Sequence, residues 1–391
     1  MKMARLRGPT IIPRHRPGRR ASKASEGNYE MAFLFSKRFL AHFSQRGRDL
    51  VMAYTMKDVA RKAGVSPATV SRVLNNTHYI ADETRARVLA VVDELSYYKN
   101  VHAQRLATGH SDLLALMISE FANPFYPEVI RGFQAAAWDQ GLDVLLLNTE
   151  YSQTRTDSLI RKLVEKDVSG VAILTSSIEL AAAAPLMEAG ICTVFSNSYS
   201  AGKLVSNITV DYSRGISHAI EHVVRLGHRR ASVIAGPEGS RTAEHIRSAL
   251  VEGLAENNLR PFPVIPCNYR VDAGASAVKA ILATPEMPTV IFCGSDLIAM
   301  GAMSALEEAG VRVPEEVSVV GIDNIAFAGL ARPSLTTIHV PREELGVTAF
   351  RALEKMMQLK RHKGAEYTLE TELVVRKSTA QVSEKRRGNA K

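Results

Sequence analysis

The sequence predicts two architectures in series: a small all-α unit of three helices, then an α/β body of doubly wound parallel sheets in two lobes. Three observations carry this. Residues 55–76 hold two short helical patterns joined by a glycine-containing turn. From residue 113 onward, short continuous apolar runs alternate with helical patterns, as buried parallel strands with βαβ crossovers do. The stretch that follows is long for one sheet in a chain of 391 residues, so two lobes with a cleft between them are expected.

Composition narrows the class. An apolar content of 46% fills sizeable cores. Cys192, Cys267 and Cys293 are odd in number, far apart and without metal-ligand spacing, which fits reduced thiols in a cytoplasm. No apolar run approaches the ~20 residues needed to cross a bilayer. The formal charge of +9 is uneven. Residues 1–51 carry twelve Lys/Arg against three Asp/Glu, residues 52–110 eight against five, and the remainder 29 against 32. A basic front on a mildly acidic body points to a polyanion partner at the front.

Residues 1–30 mix Arg, Pro, Gly and Ser without periodicity and read as disordered, and 31–51 are apolar and basic. Three readings stand for this leader: a start codon placed too far upstream of Met52 or Met56, an accessory DNA-binding arm, or a targeting segment. Thr55 and Asp58 then form a capping-box-like start, and Val59, Ala60 and Ala63 give an apolar stripe. Gly64 suits a left-handed turn. Ser66 caps a second helix with Pro67 in its first position, and Val70, Val73 and Leu74 face inward. A third helix over 82–95 completes a small core.

Two short helices joined in this way make a helix-turn-helix, whose second helix enters the DNA major groove N-terminus first. Small Pro67 and Ala68 allow close approach and contact with thymine methyls, while Arg72, one turn on, can fork onto guanine. Thr55, Ser66, Thr69, Ser71 and Asn75 are candidate polar contacts to the duplex, the hydroxyls and amide serving phosphates.

In the body, strands are expected at 113–118, 143–148, 170–175, 193–197, 231–236, 289–294, 317–323 and 371–378. Ligands in such folds collect at the carboxyl ends of strands. The candidates there are Asn123, Phe125, Tyr126, Asn197, Tyr269, Ser295, Asp296 and Asp323. Aromatic faces with amide and carboxylate groups suit a sugar or nucleoside-like ligand. His218 and His222 stand four apart on a helix without a third ligand, so neither a metal nor another cofactor is expected.

The runs T-M-K-D-V-A-R-K-A-G-V-S-P-A-T-V-S-R-V-L-N from Thr55, E-T-R-A-R-V from Glu83 and Y-Y-K-N-V-H-A-Q-R-L from Tyr97 resemble the headpiece of the LacI/GalR family of bacterial transcription regulators. The resemblance extends over about 54–380 and implies a periplasmic-binding-protein-like body. It implies that Asn100 to Ala107 form a hinge helix that orders on operator DNA. Leu106 takes the place of a minor-groove wedge, and Ala103 allows two such helices to meet. The proline usual before that hinge is Lys99 here. It further implies that Asp323 grips the ligand and that Tyr269 forms an aromatic wall. The family often carries an effector-binding arginine ten residues beyond the glycine of the Gly-Pro pair. That position is Ile246 here, with Arg247 and Arg241 the nearby candidates.

The expected divisions are a leader at 1–51, a helix-turn-helix domain at 52–98, hinge and linker at 99–111, an effector-binding and dimerisation domain at 112–380, and a tail at 381–391. The expected function is that of a cytoplasmic, non-enzymatic regulator, a repressor binding palindromic operator DNA as a homodimer under control of a small-molecule effector. Helices near the first strand of each lobe are expected to pair in the dimer. No leucine heptad follows residue 378, so a tail-tied tetramer is not expected. A solute-binding module and a sugar-phosphate enzyme are the rivals. The first suffers from the headpiece, the second from the lack of a Gly-rich phosphate loop, a GxSxG elbow or a metal cluster.

Overall fold

The computed structural model describes residues 54–74, 79–98, 111–175, 180–197, 200–358 and 363–382. The leader, Asn75, Asn100, Ala103 and Leu106 lie outside these residues. Two compact units divide the chain, Met1–Ala107 and Thr108–Lys391.

In the first unit, helices α1 (Met56–Ala63), α2 (Pro67–Leu74) and α3 (Asp82–Glu94) enclose a core of Val59, Ala60, Val70, Val73, Val88 and Val91. The Thr55 side chain accepts from the Asp58 amide, and the Asp58 carboxylate accepts from the Thr55 amide at 2.9 Å. This reciprocal pair satisfies amides that a helix start leaves without partners. Gly64 ends α1 at φ 65°, a backbone region that costs glycine little. Its amide and the next then return to carbonyls of the last turn of α1.

The second unit contains two six-stranded sheets. Strands β1 (Leu113–Ile118), β2 (Asp143–Asn148), β3 (Gly170–Leu174), β4 (Cys192–Ser196), β5 (Val205–Asp211) and β11 (Glu366–Glu370) form one sheet. Its order is β11-β5-β4-β3-β1-β2 and every pair is parallel. Strands β6 (Arg230–Ala235), β7 (Arg260–Pro266), β8 (Val290–Cys293), β9 (Ser318–Asp323), β10 (Thr336–His339) and β12 (Glu372–Val374) form the other, in the order β12-β10-β9-β8-β6-β7. There only β12 runs antiparallel, against β10. Helices α4 (Tyr126–Asp139), α5 (Gln153–Glu165), α6 (Leu180–Glu188) and α11 (Arg342–Gln358) belong to the first lobe. Helices α7 (Tyr212–Arg225), α8 (Arg241–Glu256), α9 (Val271–Leu282) and α10 (Asp296–Glu308) belong to the second.

The expected apolar runs become strands to within a residue or two, except 371–378, of which three residues pair. Four further strands were not expected, each for a physical reason. In β5, Ser206 and Asn207 interrupt the apolar run, yet both are buried and bonded: the Ser206 hydroxyl accepts from Ala365, and the Asn207 amide donates to Glu366. Strand β7 contains Pro261 and Pro263, which an edge position tolerates. Strand β10 is short and rich in buried threonine, and β11 is a half-exposed edge strand.

The chain passes between lobes three times: at Asp211–Tyr212, at Val340–Arg342 and at Thr371. The Thr371 hydroxyl donates to the Asp211 carbonyl at 2.7 Å and accepts from the Gly215 amide at 3.2 Å. Two crossings are thereby stitched together, with the Arg214–Glu370 ion pair beside them.

Helices α4 and α11 approach closely through glycines. A Cβ at Gly346 would lie 2.1 Å from the Val129 carbonyl oxygen, and one at Gly132 2.2 Å from that of Glu343. Because the obstacle is backbone, no rotamer change relieves it. Gly346→Val is expected to cost ~1–3 kcal/mol or more in urea unfolding. Gly202→Ala, with nothing within 4 Å, is expected to leave the midpoint unchanged. Equal midpoints for G346V and wild type would contradict this packing.

Candidate functional site

On α2 the buried Val70 and Val73 fix which face is turned outward. Pro67, Ala68 and Arg72 are exposed, with Ala68 and Arg72 one turn apart. The Ser66 side chain accepts from the Thr69 amide at 3.1 Å, and the two hydroxyls lie 2.9 Å apart, so both are oriented by the cap. Ser71 is half-buried. Thr55 is committed to the capping box of α1. The result is a small, sterically open helix start with one exposed guanidinium a turn behind it.

In the second unit, a cleft of ≈ 670 Å³ lies at the carboxyl ends of the strands of both sheets. It brings together Asn123, Phe125, Tyr126, Asn197, Tyr269, Ser295 and Asp323 from the expected set. The Asn123 side chain accepts from the Phe125 amide at 3.0 Å, shaping the turn into α4. The Asn197 oxygen accepts from the Val210 amide at 2.7 Å, and Ser295 caps α10 by accepting from Ile298 at 3.3 Å. These side chains therefore build the cleft wall as well as face it. Asn197 and Asp323 hold positive φ of 53° and 114° at the ends of β4 and β9. For a non-glycine residue such backbone costs about 1–3 kcal/mol and persists where surroundings over-determine it.

The tyrosines surround the carboxylate. Burial pushes Tyr126 up to about 12, with the nearby Asp323 acting in the same direction and the Ser119 hydrogen bond against it. Tyr151, Tyr212 and Tyr269 are raised by burial, again with Asp323 contributing. All four remain neutral phenols at ordinary pH. Tyr269 owes its place to Gly236, where a Cβ would meet its hydroxyl at 2.4 Å. Asp323 is itself raised well above the usual carboxylate range, first by burial and then by the neighbouring Asp296 charge, with Arg342 opposing.

Three expected ligand contacts lie elsewhere. Asp296 does not line the cleft; its carboxylate turns inward, accepting from the Thr337 hydroxyl at 2.5 Å and the Ile325 amide at 2.8 Å. Arg247 is turned outward, paired with Glu244 on the same face of α8, so the buried Ile246 occupies the cleft position. Arg241, the first residue of α8, borders a separate open depression with Glu244 and His245. A one-residue step is a rotation of ~100° along a helix, which carries Arg247 away from the cleft.

Several lining residues were not picked from the sequence: Tyr151, Thr175, Ser196, Tyr212 and Thr242. Tyr151 lies three residues after β2 and Thr175 directly after β3, so the strand-end rule could have found them. Tyr212 follows β5, a strand that the sequence pattern hides. Arg342 was also missed. Its buried guanidinium donates to the carbonyls of Asp323 and, at 2.8 Å, Asn324, and pairs with Glu128 of α4 at 2.9 Å.

Residues 55–100 match the family model described as bacterial regulatory proteins, lacI family, and residues 220–379 match a periplasmic binding protein-like domain. An HTH-type transcriptional repressor PurR from Photobacterium profundum is 34% identical over 330 residues, covering 83% of this chain and 98% of that protein. The chain belongs to the lacI family of bacterial regulatory proteins. A structure of the lac repressor dimer bound to operator and the anti-inducer ONPF is similar at a TM-score of 0.76 and 29% identity, over 84% of this chain and 99% of that one. A LacI family regulator from Enterococcus faecium with bound ribose is similar at a TM-score of 0.63 and 26% identity, over 69% of this chain and all of that one. No helix among the described residues is long and apolar enough to cross a membrane.

The buried carboxylate behind the cleft carries a pH signature. Burial raises Asp296 from 3.8 to about 7, against the hydrogen bonds from Thr337 and Ile325. The folded protein thus retains a proton that the unfolded chain releases. That contribution is full below 3.8 and is lost as pH rises through about 7. Buried His228, lowered to about 4, acts with the opposite sign, its contribution being lost as pH falls. The comparison is therefore wild type against Asp296→Asn. Urea midpoints from about pH 5 to about pH 8 are expected to fall more steeply for wild type. Parallel slopes would show that Asp296 is ionised throughout.

Proposed function

We propose that this protein is a cytoplasmic transcriptional repressor whose grip on operator DNA is set by a small-molecule effector, a sugar or related metabolite, held between the two lobes. The carrying observation is the presence in one lacI-family chain of a capped helix-turn-helix, with Pro67, Ala68 and Arg72 outward, and a strand-end cleft around Asp323. Ribose in the Enterococcus faecium relative supports a sugar-like occupant. The repressor named among its relatives, which this chain matches almost end to end, supports a non-enzymatic role.

Ala68 and Arg72 contact bases, while Ser66, Thr69 and Ser71, with Thr55 and Asn75, position the unit on the backbone. The roles that the family resemblance implies for Asn100, Ala103 and Leu106 at the operator fall on residues outside those described. The reader is placed at 52–98 and the sensor at 112–380. The lac repressor relative is a dimer. A second copy of this chain is the occupant best suited to the apolar depression on the second lobe formed by Met300, Met303, Phe327 and Leu330, where Phe327 and Leu330 are exposed. Effector and operator affinities are then coupled reciprocally.

Selection of bound sequences from random duplexes by the purified dimer, with and without pooled sugars, tests this reading. One enriched palindrome, with occupancy changed by the pool, is expected. Arg72→Ala is expected to cost ~1–3 kcal/mol and relax one base position. A uniform loss on every duplex would make Arg72 a phosphate contact instead. Asp323→Asn is expected to keep operator binding but lose the response to effector, and a normal response would remove Asp323 from the ligand's contacts.

A further inference from the structure

We propose that the cleft selects a small hydroxylated ring that carries no anionic group. Thr175 and Asp323 are its hydrogen-bonding walls, and Ile246 with an acidic mouth is the filter against phosphate and carboxylate derivatives. This deepens the effector reading above and rests on it.

Four observations converge. The first is the charge of the wall. Among the described lining residues Asp323 is the one ionisable acid or base other than the tyrosines, and those are neutral. An anion brought beside Asp323 would lose its hydration without meeting a cation on the described wall. The second is Ile246. Its side chain is buried in the wall, whereas Arg247 is held outward by Glu244. The Arg247 guanidinium is thereby withheld from the cleft.

The third is the mouth. A neighbouring space of ≈ 1020 Å³ shares Tyr151 and Tyr269 with the cleft and is bordered by Glu120, Glu150 and Glu238. The pairs Arg270–Asp272, at 3.0 Å, and Arg155–Glu150, at 2.7 Å, each cancel, so Glu120 and Glu238 give this space its negative sign. A net negative border disfavours the approach of anions.

The fourth is Thr175. Thr175 lines the cleft at the end of β3, and its buried hydroxyl oxygen has no hydrogen-bond partner among the described residues. An unpaired buried hydroxyl is costly, and a ligand hydroxyl or amine repairs it. Asp323, which accepts from the Asp296 amide, lines the same cleft with Tyr126, Tyr151, Tyr212 and Tyr269. Sites built from such hydrogen-bonding groups discriminate strongly against ligands that leave them unpaired.

The test uses the full-length protein with matched sets: glucose, glucosamine, glucose 6-phosphate and gluconate; galactose, galactosamine and galacturonate; ribose and ribose 5-phosphate. Calorimetry and thermal shift measure binding, and the duplex selected above reports DNA occupancy in parallel. In at least one set the neutral or amino member is expected to bind about tenfold or more tightly than its phosphate or acid. A preference for the amino member assigns a cationic substituent, and a preference for the neutral one a hydroxyl; both support the filter. Thr175→Val is expected to weaken that member about tenfold while leaving operator binding intact. Ile246→Arg is expected to narrow or reverse the discrimination. Equal or better binding of the anionic members, or silence from every set, overturns the proposal. An anionic effector that shifts DNA occupancy would overturn the filter and leave the repressor reading standing. Selective sugar binding with no duplex preference would do the reverse.

Discussion

The arrangement of the sensor depends on one buried guanidinium. Arg342 opens α11 of the first lobe, yet its side chain reaches the loop after β9 in the second, bonding the carbonyls of Asp323 and Asn324 and pairing with Glu128. Burying an arginine is expensive unless its hydrogens are used, and here acceptors from both lobes take most of them, Nε excepted. Asp296 grips the same loop from below through the Ile325 amide and anchors it to β10 through Thr337. Held on two sides, the loop keeps Asp323 in the cleft wall at a backbone angle uncommon for a non-glycine residue. The acid in the wall is therefore positioned by an acid behind it.

The same logic extends to the cleft wall. Asn123, Asn197 and Ser295 each use a side-chain oxygen to bind a backbone amide, so the groups that face a ligand are fixed before it arrives. Such preorganisation lowers the ordering cost of binding. Gly236 contributes by having no side chain, which leaves room for the Tyr269 ring. Thr175 differs, because among the described residues its hydroxyl has no bond to give up.

Much of this was legible in the sequence, and the rest was hidden for identifiable reasons. Continuous apolar runs located the central strands, since strands covered on both faces must be apolar throughout. Thr55, Asp58, Gly64, Ser66 and Pro67 announced the headpiece because capping and turn chemistry are local. Strands β5 and β10 were concealed because their buried polar residues are satisfied by partners distant in the chain, such as Ala365 and Asp296. Asp296 illustrates a further limit: a strand-end position does not reveal which way a carboxylate turns, and only the Thr337 and Ile325 partners decide it. Arg342 carried no local pattern at all, its role arising from a crossing that only the fold creates.

The three chain crossings have a consequence for signalling. They lie side by side, with Thr371 bonded to Asp211 and Gly215, and a Cβ at Gly215 would strike the Ile338 side chain. Connections gathered on one flank leave the lobes essentially one degree of freedom, opening and shutting like a book along its spine. An occupant that bridges the pages would drive that one movement whatever its identity, so the extent of shutting, and not the molecule that causes it, would be what is passed on. Chemical identity must therefore be judged at the entrance and the inner walls, before the motion begins.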